Sequence, residues 1–411
     1  MTETSLRGSE NVIALKLEAE RLRESLISIR RQIHAHPEYG FHEHETARLV
    51  AATLNELGVR VRCGVAKTGV VGELGEGTPV VAIRADMDAL PIAEATGLPF
   101  ASNVPNMMHA CGHDAHVACA LGAAMLLAKS SVHGTVRFLF QPSEEQKDEE
   151  GRSGAMRMID EGALNGVAAI IALHTRALPV GSIGVTAGPA LAANDTIKIT
   201  ILGRAAHGAH PEEGIDAIAI AAQVINAIHQ VITRRLPAMS PAVISITTIH
   251  GGVKENVIAE RVELGGTIRT TGGDARQRLL EELERALDVG NALGATCELQ
   301  VWEGYRVTNN DARVTETIRA AAREALGAER VVDLPFDSWA EDFGYMTARV
   351  PGAMFWLGVT SPRVPHPVWH SPLFDLDEDA LPVGAAVLAA SALRLLDACA
   401  ADGNLNDVKM M

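Results

Sequence analysis

The stretch MHACGHDAH at 108–116 crowds a cysteine, histidines and an aspartate around one glycine, in a chain that has only five cysteines. Further along, QPSEEQ supplies Glu144 and Glu145, ALHT supplies His174 and WHSP supplies His370. Cys111, His113, His174, His370 and one of the two glutamates make a mixed set of thiolate, imidazole and carboxylate. Such a set suits zinc or another late first-row divalent ion, not magnesium or calcium. Five ligands exceed the needs of one closed tetrahedral site. Two ions with a ligand in common would use them all, and a thiolate between them would be deprotonated by their charge. Gly112 permits the sharp turn that aims Cys111 and His113 at one point. Each residue alone has an ordinary explanation, since free cysteines are commonly buried and single histidines are commonly satisfied core or surface groups. As a set they all fall at strand ends or before helices, where packing has no need of polar groups.

The adjacent glutamates carry the chemistry. Neighbours in an extended loop point in different directions, so one carboxylate can bind a metal while the other faces water. A divalent ion lowers the pKa of its water from about 15.7 to about 7, and a carboxylate beside it can take the proton. The competing explanation is a solvated acidic loop, to which the run EEQKDEE lends weight.

These residues need a scaffold that gathers them. PVVAIRADMD, GTVRFLFQ, VAAIIALHT and ARVPGAMFWLGV read as strands, with HVACALGAAMLLAKS and DEDALPVGAAVLAASALRLLDA as helices between and after them. The alternation predicts an α/β fold with a mostly parallel sheet flanked by helices. Asp86 and Asp88, Glu144 and Glu145, and His174 each follow a β-rich run, and open sheets bind ligands beyond the carboxyl ends of their strands. Val117, Leu121, Met125 and Ala128 mark the expected buried stripe of the helix that follows Gly112. Residues 11–33 read as one amphipathic helix ending near Pro37. Between 189 and 305 the order is β-α-β-β-α-β, the ferredoxin-like pattern, which predicts an inserted domain. The division is therefore 1–188 with 306–411, interrupted by 189–305.

The chain's 411 residues, 47% hydrophobic, are enough for two cores. A formal charge of −15 argues against nucleic acid and anionic membrane surfaces as partners. No signal-peptide pattern or long uncharged apolar run is read, and the odd, scattered cysteines fit reduced thiols, so the expectation is a cytoplasmic protein acting on a small molecule.

RADMDALP, MHACGHDAH, FQPSEE, LHT, GRAAHGAHPEEGIDAI, HGGVKENVIAERVELGGTIRT, AEDFGYM and HSPLFDLDEDALP stand in the order seen in the hippurate hydrolase-like amidohydrolases. From about residue 25 to 395 the chain resembles that group, which belongs to the aminoacylase and carboxypeptidase superfamily of co-catalytic metallopeptidases. The resemblance implies two divalent ions per subunit, zinc or manganese with cobalt or nickel as alternatives, and a lid domain that forms a homodimer or higher homo-oligomer. It implies Cys111 as bridging ligand, with His113, Glu145, His174 and His370 as the others and Glu144 as general base. Asp88 would orient a ligand histidine, unless it caps a helix. His207 would stabilise the oxyanion, in dimeric relatives from the partner subunit, while Asn256 and Arg269 would hold the substrate's carboxylate. Otherwise Asn256 is a turn residue and Arg269 an ordinary strand residue. Asp342 is a further supporting carboxylate, His109 and His116 flank the site, and His34, His36, His42 and His44 belong to a helix end and turn. Thr175, Arg176, Ala340 and Ser371 depart from the usual pattern and touch the substrate pocket. The activity implied is hydrolysis of N-acyl amino acids. The alternatives are a dipeptidase or carboxypeptidase on the same metals, or a non-catalytic metal-binding protein.

Overall fold

The computed structural model describes residues 3–237 and 241–401. Two compact units emerge. The first takes the chain up to Ala190, then Asn309–Pro335 and the chain from Tyr345; the second takes Leu191–Thr308 with Phe336–Gly344. The 189–305 division left that last segment with the catalytic part. Backbone pairing explains its place: Leu191 bridges Asp337, and Ala192 N–H donates to the Trp339 carbonyl at 2.7 Å.

In the first unit an eight-stranded sheet runs in the order Arg60–Val65, Gly69–Glu76, Gly134–Gln141, Val80–Asp86, Val167–Pro179, Gly352–Thr360, Ile183–Gly184, Val331–Val332. The four strands in the middle, from Gly134–Gln141 to Gly352–Thr360, pair in parallel, and antiparallel pairs flank them. Every residue of Val80–Asp86 is buried, which is why it reads as a nearly unbroken apolar run. Helices His113–Leu127 and Leu381–Ala401 pack against each other and on this sheet.

Two local expectations give way. The helix after Gly112 begins at His113 and is buried almost all round, and Met125 and Ala128, assigned to the buried stripe, are the half-exposed positions. A helix enclosed between a sheet and other helices has no solvent face to define a stripe. The N-terminal helix is interrupted at Leu22, whose N–H is shared between the Glu18 and Ala19 carbonyls, so Glu3–Arg21 and Arg23–Ala35 are separate. The segment Glu378–Ala401 has the length and apolar composition of a membrane span, but most of its apolar window is buried inside the protein, where it serves as core.

The second unit has a four-stranded antiparallel sheet in the order Thr296–Glu303, Ala193–Leu202, Arg261–Thr270, Ala242–Gly251, the ferredoxin-like 4-1-3-2 arrangement. Burial along Arg261–Thr270 alternates with period two. Its inward residues Val262, Leu264 and Ile268 share a core with Val224 and Ile228 of helix Ala217–Gln230 and Leu283 of helix Gly273–Ala292.

Candidate metal centre

Cys111 and His113 are placed by the turn that starts helix His113–Leu127. Gly112, at φ 91°, is left-handed, and a Cβ there would lie 2.7 Å from Thr175 Oγ1. Thr175 ties the neighbourhood together: its hydroxyl donates to the Cys111 carbonyl at 3.3 Å and accepts from Trp369 Nε1–H at 3.1 Å. His370 follows Trp369 in a left-handed conformation, φ 59°, and its N–H donates to the Ala110 carbonyl at 2.8 Å. Glu144 and Glu145 follow Gly134–Gln141, and His174 lies within Val167–Pro179, paired across to Trp356.

The donor atoms converge. Cys111, His113 and His174 form one group with donors within 4.8 Å of one another, and Cys111, Glu145 and His370 form another. The sulfur belongs to both. Cys111 Sγ and His174 Nε2 are 3.5 Å apart, close to the separation of about 3.5 Å expected of a sulfur and a nitrogen on one tetrahedral zinc. Glu145 Oε1 lies 3.1 Å from His370 Nε2 and 4.0 Å from His113 Nε2.

Neighbours orient the imidazoles. His113 Nδ1–H donates to the Asp88 carbonyl at 2.9 Å, which turns Nε2, buried without a hydrogen bond, towards the other donors. His174 Nδ1 donates to the Thr175 carbonyl at 2.9 Å, turning its Nε2 towards the sulfur. The Asp88 carboxylate lies 3.3 Å from His113 Nδ1 through one oxygen and accepts the Glu145 N–H at 2.9 Å through the other. It caps no helix; it joins two segments that carry ligand candidates.

Electrostatics favour a cationic occupant. Burial, then Glu145, Glu144 and Asp86, push the Cys111 thiol well above its ordinary value. Burial works to lower the His113 pKa, yet Asp86, Asp88 and Glu145 outweigh it and raise it to about 10. A cluster of carboxylates this dense holds protons on its thiol and imidazole unless stronger positive charge replaces them, as coordinated divalent ions do. The donor set therefore fits two such ions.

The pattern of peptidase family M20/M25/M40 matches residues 82–394. This chain belongs to that family. It is 40% identical over 381 residues to an N-acetylcysteine deacetylase of Bacillus subtilis, covering 90% of this chain and 97% of that one. Thermostable carboxypeptidase 1 of Saccharolobus solfataricus is 39% identical over 392 residues, covering 92% and 98%. Among solved structures, the Bacillus subtilis YXEP protein, a dinuclear metal binding peptidase from the M20 family, superposes with a TM-score of 0.80 at 38% identity, covering 92% of this chain and 99% of that one. This M20 chain is accordingly a metal-dependent amide hydrolase of small molecules whose centre takes two divalent ions.

Other residues fall in distinct places. His207 and Asn256 are exposed neighbours in the second unit: His207 bridges Val257, and Gly208 N–H donates to the Asn256 carbonyl at 2.8 Å. Arg269 is half-buried on Arg261–Thr270, and its buried Nη1 has no hydrogen bond. Asp342 is buried in the same unit. His34 is buried and contacts Asp114, whereas His36, His42 and His44 are exposed around the turn between helices Arg23–Ala35 and His44–Glu56. Burial lowers His109 to about 4.

Sequence reasoning missed a buried chain beneath the ligands. Arg84 donates to Asp86 at 2.7 Å, His116 Nδ1–H donates to the other Asp86 oxygen at 2.6 Å, and His116 Nε2 accepts the Thr175 N–H at 3.1 Å. The arginine in VVAIRAD was a usable signal. A guanidinium in a fully buried strand needs a carboxylate, and residues two apart share a face.

Proposed function

We propose that this M20 enzyme hydrolyses the amide of N-acyl amino acids at two divalent ions, zinc or manganese, with cobalt or nickel able to substitute. Cys111, His113, Glu145, His174 and His370 would hold them, Cys111 belonging to both donor groups. When bound, the ions supply positive charge that polarises the amide carbonyl and acidifies water. Glu144, buried beside Glu145 and His113, takes the proton from the attacking water and passes it to the departing amine. Water adds to the carbonyl carbon and the C–N bond breaks, leaving a carboxylate and a free amino acid. Asp88 keeps His113 in the tautomer that leaves Nε2 free to bind. Arg269 receives the substrate's carboxylate, for which its unsatisfied Nη1 is suited, with Asn256 beside it in this role, and His207 donates to the oxyanion. The second unit acts as a lid that pairs subunits into a homodimer or higher homo-oligomer, and the enzyme works in the cytoplasm.

The membership of one sulfur in two donor groups carries this reading. The 39% identical carboxypeptidase supports a second one, cleavage of peptides at the C-terminal residue. Metal-reconstituted protein assayed against N-acetyl amino acids, N-benzoyl amino acids and dipeptides separates the two. Turnover of the acylated amino acids with dipeptides at least tenfold slower is expected, about 1.4 kcal/mol of discrimination; preference for dipeptides would replace the first reading with the second.

A further inference from the structure

Strained backbone gathers around one buried carboxylate that the reaction itself does not use. Among the described residues, six non-glycine positions have positive φ: Phe41, Ala66, Lys67, Asn106, Ser143 and His370. Such conformations are unfavourable for a residue with a side chain and persist only where surroundings impose them. His370 is a ligand candidate. Of the others, Ser143 bonds Glu43 directly, Ala66 and Lys67 lead into its partner Thr68, and Phe41 lies two residues before Glu43.

Glu43 is fully buried. One of its oxygens accepts the Ser143 N–H at 2.8 Å, and the other accepts the Thr68 hydroxyl in a short hydrogen bond. Thr68 directly follows Ala66 and Lys67, at φ 53° and 74°. That turn is pinned from outside: Ala66 N–H donates to Glu161 at 2.9 Å, while the Lys67 ammonium lies 3.0 Å from Asp148 and 4.3 Å from the centre of the Phe41 ring. Ser143, at φ 47°, immediately precedes Glu144 and Glu145, and its carbonyl accepts the Gly154 N–H at 2.9 Å. The walls fit closely, since a Cβ on Gly40 would lie 2.4 Å from Ser143 Oγ and one on Gly154 would lie 1.6 Å from the Pro142 carbonyl oxygen.

We propose that Glu43 is a positioning residue: its carboxylate locks the left-handed Ser143 to the 66–68 turn, so that Glu144 and Glu145, one residue apart, face the water and the metal respectively. Released from Glu43, Ser143 relaxes towards ordinary φ and swings both carboxylates. This inference rests on the assignment of Glu144 as base and Glu145 as ligand.

The test compares Glu43→Ala, Glu43→Gln and Thr68→Val in the full-length, metal-loaded protein, with kcat, KM and the absorption spectrum of the cobalt(II)-substituted form. Displacement of a catalytic group by about 1 Å costs about 10²-fold, so Glu43→Ala should lower kcat by about that factor with KM changed by no more than about twofold. Its cobalt bands should shift, because Glu145 moves. Glu43→Gln retains an oxygen for the Ser143 N–H and should restore most of kcat and the original spectrum. A folded Glu43→Ala protein with unchanged kcat and spectrum overturns the inference, as does a Gln variant as impaired as Ala. Should Glu43→Ala not fold, Thr68→Val decides: a several-fold fall in kcat with a shifted spectrum supports positioning, and neither change refutes it. Glu144→Gln, measured alongside, addresses the base itself. If that variant kept its turnover the base assignment would fall, while the cobalt spectrum of Glu43→Ala would still report whether Glu43 holds Glu145.

Discussion

Gly112→Ala tests how tightly the cysteine-bearing turn is specified. At φ 91° an alanine carries the left-handed penalty of about 1–2 kcal/mol. The added methyl would also lie 2.7 Å from Thr175 Oγ1 and 3.2 Å from its Cγ2. Thr175 is a poor candidate for moving aside. It is β-branched and fully buried, and its hydroxyl is held by the Cys111 carbonyl and Trp369. Overpacking of this kind costs about 1–3 kcal/mol, so the total is about 2–5 kcal/mol of stability. The turn has an alternative, which is to open and carry Cys111 away from His174. Both routes should lower metal content below two ions per chain and reduce kcat/KM more than they reduce secondary structure. Thermal unfolding of the metal-free protein and metal analysis of the reconstituted protein measure the two effects. Thr175→Ala in the same chain removes Oγ1 and Cγ2 and leaves Cβ at the ordinary contact of 3.5 Å. The double variant should therefore recover about 1–3 kcal/mol relative to the sum of the single changes. Additive losses, or a Gly112→Ala protein that binds two ions and keeps wild-type kcat/KM, would refute the account of the turn.

Glu144→Gln should lower kcat by about 10²–10⁴-fold with metal content intact, whereas Cys111→Ser should lower metal content first; metal analysis beside initial rates distinguishes them. Asp86→Asn removes the negative charge beside the buried Arg84 and leaves one acceptor oxygen where Arg84 and His116 use two, and should destabilise the metal-free protein by about 3–5 kcal/mol in denaturant unfolding. His34 contributes a pH dependence. Burial works to lower its pKa, but hydrogen bonds to Asp114 and Glu94 raise it to about 9. A folded-state value above the unfolded value of about 6.5 stabilises fully below that pH and is lost as pH rises through 9. The melting temperature of the metal-free protein should fall more steeply from pH 7 to 9 than that of His34→Gln, and parallel profiles would contradict the assignment.

Much of the site was legible because its chemistry is written in residue types. Cys111, His113, His174, His370 and the Glu144–Glu145 pair stand out in the amino-acid sequence, since few other roles call for a thiol, imidazoles and paired carboxylates at strand ends, and only the family resemblance chooses Glu145 as the ligand. The ferredoxin-like order of the second unit was legible too, because alternating burial imposes a period of two on its strands. The stripe assigned to the helix after Gly112 was not, since periodicity says nothing of a helix enclosed on every side. Glu43 gave no signal beyond belonging to a histidine-rich turn.

The order of elements and the kinds of donor atom thus follow from the amino-acid sequence by itself, because hydrophobic period and ligand chemistry are properties of neighbours along the chain. Tertiary structure alone decided which imidazole nitrogen faces the centre, that one sulfur joins two donor groups, and that Glu43 grips Ser143 and Arg84 anchors Asp86 and His116. Tautomer, rotamer and strain are set by groups that meet in space after folding. Glu43 and Ser143 are separated by 100 positions, and no local pattern encodes a hydrogen bond across that distance.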